Sequence, residues 1–179
     1  PTIEENRIYV SSGKGDIACI DANNVKIIWS IKAAEEFGAD LKDWGIAENL
    51  IIDGNKIFFL SIGKHTTVIA LDKFTGKLIW KSKSINDAAA YVSPILINYA
   101  GKNIFINISA SYIFGVDAEN GNILWKFNHK DLMPAPEDWA PLIKCTSPLY
   151  SNGKIFFTGG YDHVGAMLMM NSDASKVEL

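Results

Sequence analysis

Apolar residues fall in short runs along the chain, closed by turn residues and alternating with polar clusters. Arg7-Ile8-Tyr9-Val10, Lys56-Ile57-Phe58-Phe59, Asn103-Ile104-Phe105-Ile106 and Lys154-Ile155-Phe156-Phe157 read as one strand written four times. Before them stand Pro1-Thr2-Ile3, Leu50-Ile51-Ile52, Pro94-Ile95-Leu96 and Pro148-Leu149-Tyr150. Asp53-Gly54-Asn55, Ala100-Gly101-Lys102 and Ser151-Asn152-Gly153 supply the intervening turns. After them the pattern closes on a fixed spacing. Asp21 leads to Trp29, Asp72 to Trp80 and Asp117 to Trp125, always 8 residues on, and Asn171 leads likewise to Leu179.

A repeat of about 45 residues holding four Ile-, Phe- and Val-rich strands is the signature of a stacked all-β architecture. In the second copy the strands are expected near 49–52, 56–61, 67–72 and 77–82. Near-continuous apolar runs such as Ile57-Phe58-Phe59-Leu60 suit sheets covered on both faces. The fold class is therefore all-β: a β-propeller of four-stranded antiparallel blades, with blades at about 1–32, 47–83, 91–128 and 146–179. Thr75-Gly76 and Asn120-Gly121 are tight turns in which Gly76 and Gly121 admit positive φ, and in the first copy Asn23-Asn24 takes that place. Asp21, Asp72 and Asp117 are placed to accept N–H groups from those turns, and each Trp is placed to pack against the next blade.

The motif A-x-D-x-x-T-G-K-x-x-W, complete from Ala70 to Trp80, resembles the tryptophan-docking repeat of the quinoprotein (PQQ-like) β-propellers. The segment running from Phe37-Gly38 through Trp44-Gly45 to Glu48-Asn49-Leu50-Ile51-Ile52-Asp53-Gly54, together with Ala90-Tyr91-Val92-Ser93-Pro94, resembles PQQ-binding-like, alcohol-dehydrogenase-like repeat proteins of bacteria. That resemblance implies a periplasmic or secreted setting. It leaves activity open, because the family holds both calcium-dependent PQQ dehydrogenases and cofactor-free members such as the outer-membrane assembly lipoprotein. Complete rings have about seven or eight blades. The chain supplies about four, so a fragment or half-ring is expected, with open blade faces that favour self-association.

B–C and D–A connections emerge at one end of antiparallel blades, and A–B and C–D turns at the other. The first end gathers the candidate ligand face. His65 and the Tyr161-Asp162-His163 run lie in B–C connections; Asp43-Trp44 and Asp138-Trp139 lie in long D–A connections near 33–47 and 129–145. Trp44 and Trp139 are placed to stack a planar ligand or sugar, or to plug a loop onto a blade edge. Asp43 and Asp138 are placed to ligate calcium or act as bases, or to close a turn. Asp162 and His163 form either an oriented base or a hairpin surface, and adjacent strand residues point to opposite faces. Ala33-Ala34-Glu35-Glu36-Phe37 reads as one helical turn with solvated carboxylates.

The 179 residues carry a net charge of −3, which gives no reason to expect nucleic acid as partner. No apolar run is long enough for a membrane-spanning helix. The opening PTIEENRIYV lacks the pattern of a signal peptide and does not begin with Met, as in a mature or excised product. Cys19 and Cys145 have no metal or redox spacing; they either pair in an oxidising compartment or stay as buried free thiols, the favoured expectation. Many PQQ dehydrogenases carry a disulfide of adjacent cysteines; this sequence has no adjacent Cys pair, and none of the family's catalytic positions matches residue by residue. The favoured expectation is a non-catalytic propeller, a scaffold or binding surface for a protein or glycan. Part of a PQQ- and calcium-dependent alcohol or sugar dehydrogenase, and a carbohydrate-binding module built on Trp44 and Trp139, remain the alternatives.

Overall fold

The structure is a computed structural model describing residues 1–39, 45–132, 144–159 and 165–179. It divides into two compact units, Pro1–Asn86 and Asp87–Leu179. In the first unit, β1 (Thr2–Glu4), β2 (Arg7–Ser11), β3 (Ile17–Asp21) and β4 (Ile27–Ile31) form one antiparallel meander. The helical turn α1 (Ala33–Phe37) leads on to a second sheet of β5 (Ile51–Asp53), β6 (Lys56–Leu60), β7 (Val68–Asp72) and β8 (Leu78–Lys81). The second unit repeats the plan. Its sheets are β9 (Ile95–Tyr99), β10 (Lys102–Ile108), β11 (Tyr112–Asp117) and β12 (Ile123–Asn128), then β13 (Leu149–Ser151), β14 (Lys154–Thr158), β15 (Gly165–Met170) and β16 (Val177–Glu178).

The recurrent Asp is the turn acceptor in each of its three copies. Oδ1 of Asp72 accepts the N–H groups of Phe74 and Thr75 and the Thr75 hydroxyl. Asp21 accepts from Asn23 and Asn24, and Asp117 from Glu119. The turn's left-handed residue is the fourth after the Asp: Gly76 at φ 72° and Gly121 at φ 78°. In the first sheet that residue is Val25, at φ 60°, rather than either of the preceding asparagines. A β-branched residue is strained there, because its Cβ meets the neighbouring backbone.

A β-bulge explains the spacing of 8. In the first three sheets the register shifts by one residue in the C–D ladder, and the extra residue brings Trp29 opposite Cys19, Trp80 opposite Ala70 and Trp125 opposite Gly115. Without the bulge the partner would be the seventh residue. That is the arrangement in the fourth sheet, where Glu178 stands opposite Met169. Leu179 therefore does not occupy the place of the tryptophans, contrary to its sequence spacing.

Within the first unit, Trp29 locks the first sheet to the second. Its Nε1 donates to the Lys73 carbonyl over 3.0 Å, and its ring covers Gly76, where a Cβ would fall 2.7 Å from a ring carbon. Lys73 is ion-paired with Glu4. The Arg7 guanidinium and the Lys73 ammonium stand 5.0 and 5.1 Å from the centre of the Phe74 ring. Beneath this lock, Tyr9, Ile17 and Cys19 of the first sheet form one core with Ile57, Phe59, Ile69 and Leu71 of the second. Trp80 stacks at 5.6 Å on Phe58 of its own sheet.

In the second unit, Ile104, Ile106 and Trp125 form one core with Ile155, Phe157, Leu168 and Ala174. Gly115 leaves room for the Trp125 ring, which a Cβ would approach to 2.5 Å. Cys19 is buried as expected, whereas Cys145 is exposed, in the connection that leads into β13 rather than on a core-facing strand.

Two substitutions test this account. Trp29→Ala should lower unfolding stability by about 3 kcal/mol, with Trp29→Phe costing less, as read by chemical denaturation. Val25→Gly should raise stability by about 1 kcal/mol, since Val25 is exposed and has only strain to lose.

Candidate functional site

At the loop end of the first unit, backbone meets backbone through glycine. The two described ends of the 33–47 connection bond to the 12–16 turn, with Ala34 N–H donating to the Gly15 carbonyl and Ile46 N–H to that of Gly13. A Cβ on Gly45 would lie 2.2 Å from the Gly13 oxygen, and one on Gly63 2.0 Å from the Gly38 oxygen. Only glycine permits these approaches. Hydroxyls bind the neighbouring connections together. Thr66 donates to the Ser82 carbonyl, Ser82 accepts from Val68 N–H, Thr67 accepts from Ile85 N–H, and Ser84 donates to the Gly63 carbonyl.

His65 is exposed at this end, its ring beside Gly38. Asp43 and Trp44, Asp138 and Trp139, and Tyr161, Asp162 and His163 lie outside the described residues. No group of three or more His, Cys, Asp or Glu side chains able to hold a metal occurs among the described residues.

Glu48, on the approach to β5, has an Oε2 shielded from solvent and without a hydrogen-bond partner among the described residues. Burial pushes its carboxyl well above the usual carboxylate range. Its backbone carbonyl accepts from the Ser11 hydroxyl. Burial thus favours the protonated form of this carboxyl.

The second unit brings together residues that sequence spacing left apart. The Asp87 carboxylate accepts from the Ser109 hydroxyl at 2.6 Å, the Ser111 N–H at 2.7 Å and the Ser111 hydroxyl at 2.9 Å. His129, buried against Phe157, places Nε2 3.1 Å from the Ser109 carbonyl oxygen, so this nitrogen carries the proton. Asp, Ser and His are thus neighbours without being a nucleophile relay. The imidazole is bonded to a backbone oxygen rather than to Ser109 Oγ, and Oγ donates to the carboxylate. The group pins the 87–90 connection to the turn between β10 and β11, where Ala110 also donates to the Ala88 carbonyl.

Lys144 is buried in the same unit, and burial first, then the Lys130 ammonium, holds its amine below the ordinary lysine range. Asp87, Ser109, Ser111 and Lys144 carry no sequence signal, because each meets partners distant along the chain through loops without periodicity.

Glu48 yields a pH test. Between the ordinary carboxyl range and its raised folded value, the folded chain holds a proton that the unfolded chain has released, so stability falls as pH rises through that window. Glu48→Gln should flatten this slope and make the protein more stable at neutral pH, as read from denaturation midpoints at pH 5 and pH 8.

Comparison with known proteins sets this geometry in a family. The model described as outer membrane protein assembly factor BamB matches residues 1–176. The quinoprotein ethanol dehydrogenase of Pseudomonas aeruginosa is 27% identical over 139 residues, covering 69% of this chain and 21% of the dehydrogenase. The 1-butanol dehydrogenase (quinone) of Thauera butanivorans is 25% identical over 167 residues, covering 78% of this chain and 26% of that enzyme. The chain thus spans only about a fifth to a quarter of these relatives' length. Among solved structures, BamB from Moraxella catarrhalis superposes with a TM-score of 0.61 at 11% identity, over 97% of this chain and 49% of BamB. At these identities the structural likeness speaks for the fold, and the match along nearly the whole sequence speaks for descent: the chain belongs to the PQQ-like β-propeller repeat family represented by BamB and related to the quinoprotein alcohol dehydrogenases.

Proposed function

We propose that this chain is a non-catalytic propeller segment whose loops and blade faces bind a protein or glycan partner in a periplasmic or secreted setting. The observation that carries this reading is where the polar side chains at the loop end are used. Asp87, Ser109, Ser111, Thr66, Thr67, Ser82 and Ser84 bond to their own connections, and His129 bonds to a backbone carbonyl. Groups committed to loop closure build a rigid surface for recognition. The likeness to BamB, named as an assembly factor, supports a protein as the partner.

The names of the curated relatives favour a second reading, a piece of a quinone-dependent alcohol dehydrogenase. The described residues do not fit that cofactor well. Calcium needs several oxygen ligands, whereas the Asp87 oxygens already accept three hydrogen bonds and no group of three or more His, Cys, Asp or Glu able to hold a metal occurs among the described residues. A carbohydrate site resting on Trp44 and Trp139 is the third reading.

Titration with PQQ in the presence of calcium, followed by tryptophan fluorescence, separates these readings. The expected outcome is no saturable quenching up to about 100 μM, a range that covers typical specific small-ligand affinities. Saturation at micromolar PQQ with a calcium requirement would replace the scaffold reading with the dehydrogenase one. Retention on a glycan column that Trp44→Ala or Trp139→Ala abolishes would favour the carbohydrate module.

A further inference from the structure

Two Asn-Gly pairs close turns in the second unit, and their surroundings differ. Asn120-Gly121 lies in the turn between β11 and β12, and Asn152-Gly153 in the turn between β13 and β14. The pair has a chemistry of its own. A glycine has no Cβ to shield its backbone nitrogen, so that nitrogen can reach the side-chain carbonyl carbon of a preceding asparagine. The hydrogen bonds around the pair decide how freely it does so.

At Asn120 both reacting groups are engaged. Oδ1 accepts the Asn122 N–H at 2.9 Å, and Nδ2 donates to the Asp117 carboxylate at 3.1 Å. The nucleophile itself, the Gly121 nitrogen, donates its proton to the Asp117 carbonyl over 2.9 Å. Asn171, which precedes a serine rather than a glycine, is held in the same way. Its Nδ2 donates to the Ser175 hydroxyl and its Oδ1 accepts the Lys176 N–H.

At Asn152 neither group is engaged. The two-residue turn is held by the ladder, where Ser151 stands opposite Lys154. Asn152 has φ 48° and Gly153 φ 80°, both left-handed, as a primed hairpin turn requires. Among the described residues the Asn152 side chain makes no hydrogen bond, and the Gly153 N–H has no acceptor. Asn152 is exposed. So is Ala100, its counterpart in the first turn of the third sheet, although the fourth sheet packs on that sheet. The exposure therefore goes with the place of the turn in the blade. Rotation about ψ of Asn152 brings the two atoms together without first breaking a hydrogen bond of the side chain or of the Gly153 N–H.

We propose that Asn152 is a site of spontaneous covalent modification, cyclising to a succinimide and opening to isoaspartate, and that Asn120 is protected by its turn. The Gly153 nitrogen bonds to Cγ of Asn152 and gives up its proton to water or hydroxide. The Cγ–Nδ2 bond breaks, and that nitrogen leaves as ammonia. Water then opens the imide. Addition at Cγ leaves an ordinary aspartate; addition at the main-chain carbonyl carbon leaves isoaspartate, with the chain running through Cγ. The net reaction exchanges ammonia for water and is redox-neutral.

The product matters to the fold because this turn has no slack. Isoaspartate adds a methylene to the main chain of a two-residue hairpin, whose length sets the register. The Gly153 carbonyl accepts the Met170 N–H, and the Tyr99 ring of β9 lies on Gly153, 3.2 Å from where a Cβ would be. Conversion therefore loosens the start of the fourth sheet and its contact with the third.

The test is incubation of the chain in mildly alkaline buffer, folded and in urea, followed by peptide mapping with mass spectrometry and by methyl transfer with an isoaspartate methyltransferase. In the folded chain, Asn152 should gain the mass of an amide-to-acid exchange on the order of tenfold faster than Asn120, the factor that freeing one or two hydrogen bonds produces. In urea the two rates should converge, since the dipeptide is the same. Asn152→Gly supplies a residue that accepts positive φ, and should abolish methyl acceptance with the fold intact. Conversion at Asn120 as fast as at Asn152 in the folded chain overturns the proposal. So does a folded chain that keeps Asn152 intact over the time in which the unfolded chain converts. A preference for Asn152 as large in urea as in the folded chain overturns the protection of Asn120 by its turn.

Discussion

The packing of a tryptophan over a glycine turn in the following sheet is the contact on which the first unit depends. A four-stranded meander cannot bury both of its faces by itself, and the stack supplies the missing cover. Trp29 ties the stack at its rim with a large apolar ring and a directed hydrogen bond to the Lys73 carbonyl. The bulge in the C–D ladder aims the ring, and the absent Cβ of Gly76 admits it. The Asp at the start of the turn holds the loop in the shape that presents that glycine. The Asp, the Gly and the Trp are thus parts of one joint, although the Trp acts on a different blade from the turn it covers.

The opposite end of the blades is built on another principle. There the connections lie directly on one another, glycine against carbonyl oxygen, and short hydroxyl side chains satisfy the backbone groups that strand pairing leaves over. The Asp87 cluster does the same for the second unit, where one carboxylate satisfies three donors. Among the described residues, the hydroxyls of Thr66, Thr67, Ser82 and Ser84 and the Asp87 carboxylate are engaged within their own connections. His65 stands exposed at the loop end of the first unit.

The family setting sharpens the contrast between fold and activity. The chain matches the model described as an outer membrane assembly factor and also quinone-dependent dehydrogenases, so one repeat occurs in proteins named for different activities. Identity to the dehydrogenases is 25–27% and covers 21–26% of their length. It therefore speaks for common architecture more strongly than for common chemistry.

The architecture was legible in the residues because its determinants are local and repeated. The alternation of Ile and Phe, the turn glycines and the Asp-to-Trp spacing each recur within a few dozen residues, and α1 fell on the predicted Ala33–Phe37 turn. The loop end was not legible in this way. Asp87 finds Ser109 and Ser111, and Glu48 loses its solvent, through contacts between connections that have no period and share no neighbourhood in the sequence. The bulge marks the boundary between the two kinds of information. The sequence by itself determined that each Trp follows its Asp by 8 residues. Only the tertiary structure decided that Trp29, rather than the residue before it, faces the second sheet, that Val25 carries the left-handed strain, and that Glu178 rather than Leu179 stands opposite Met169, because ladder register depends on which strands meet and where they slip.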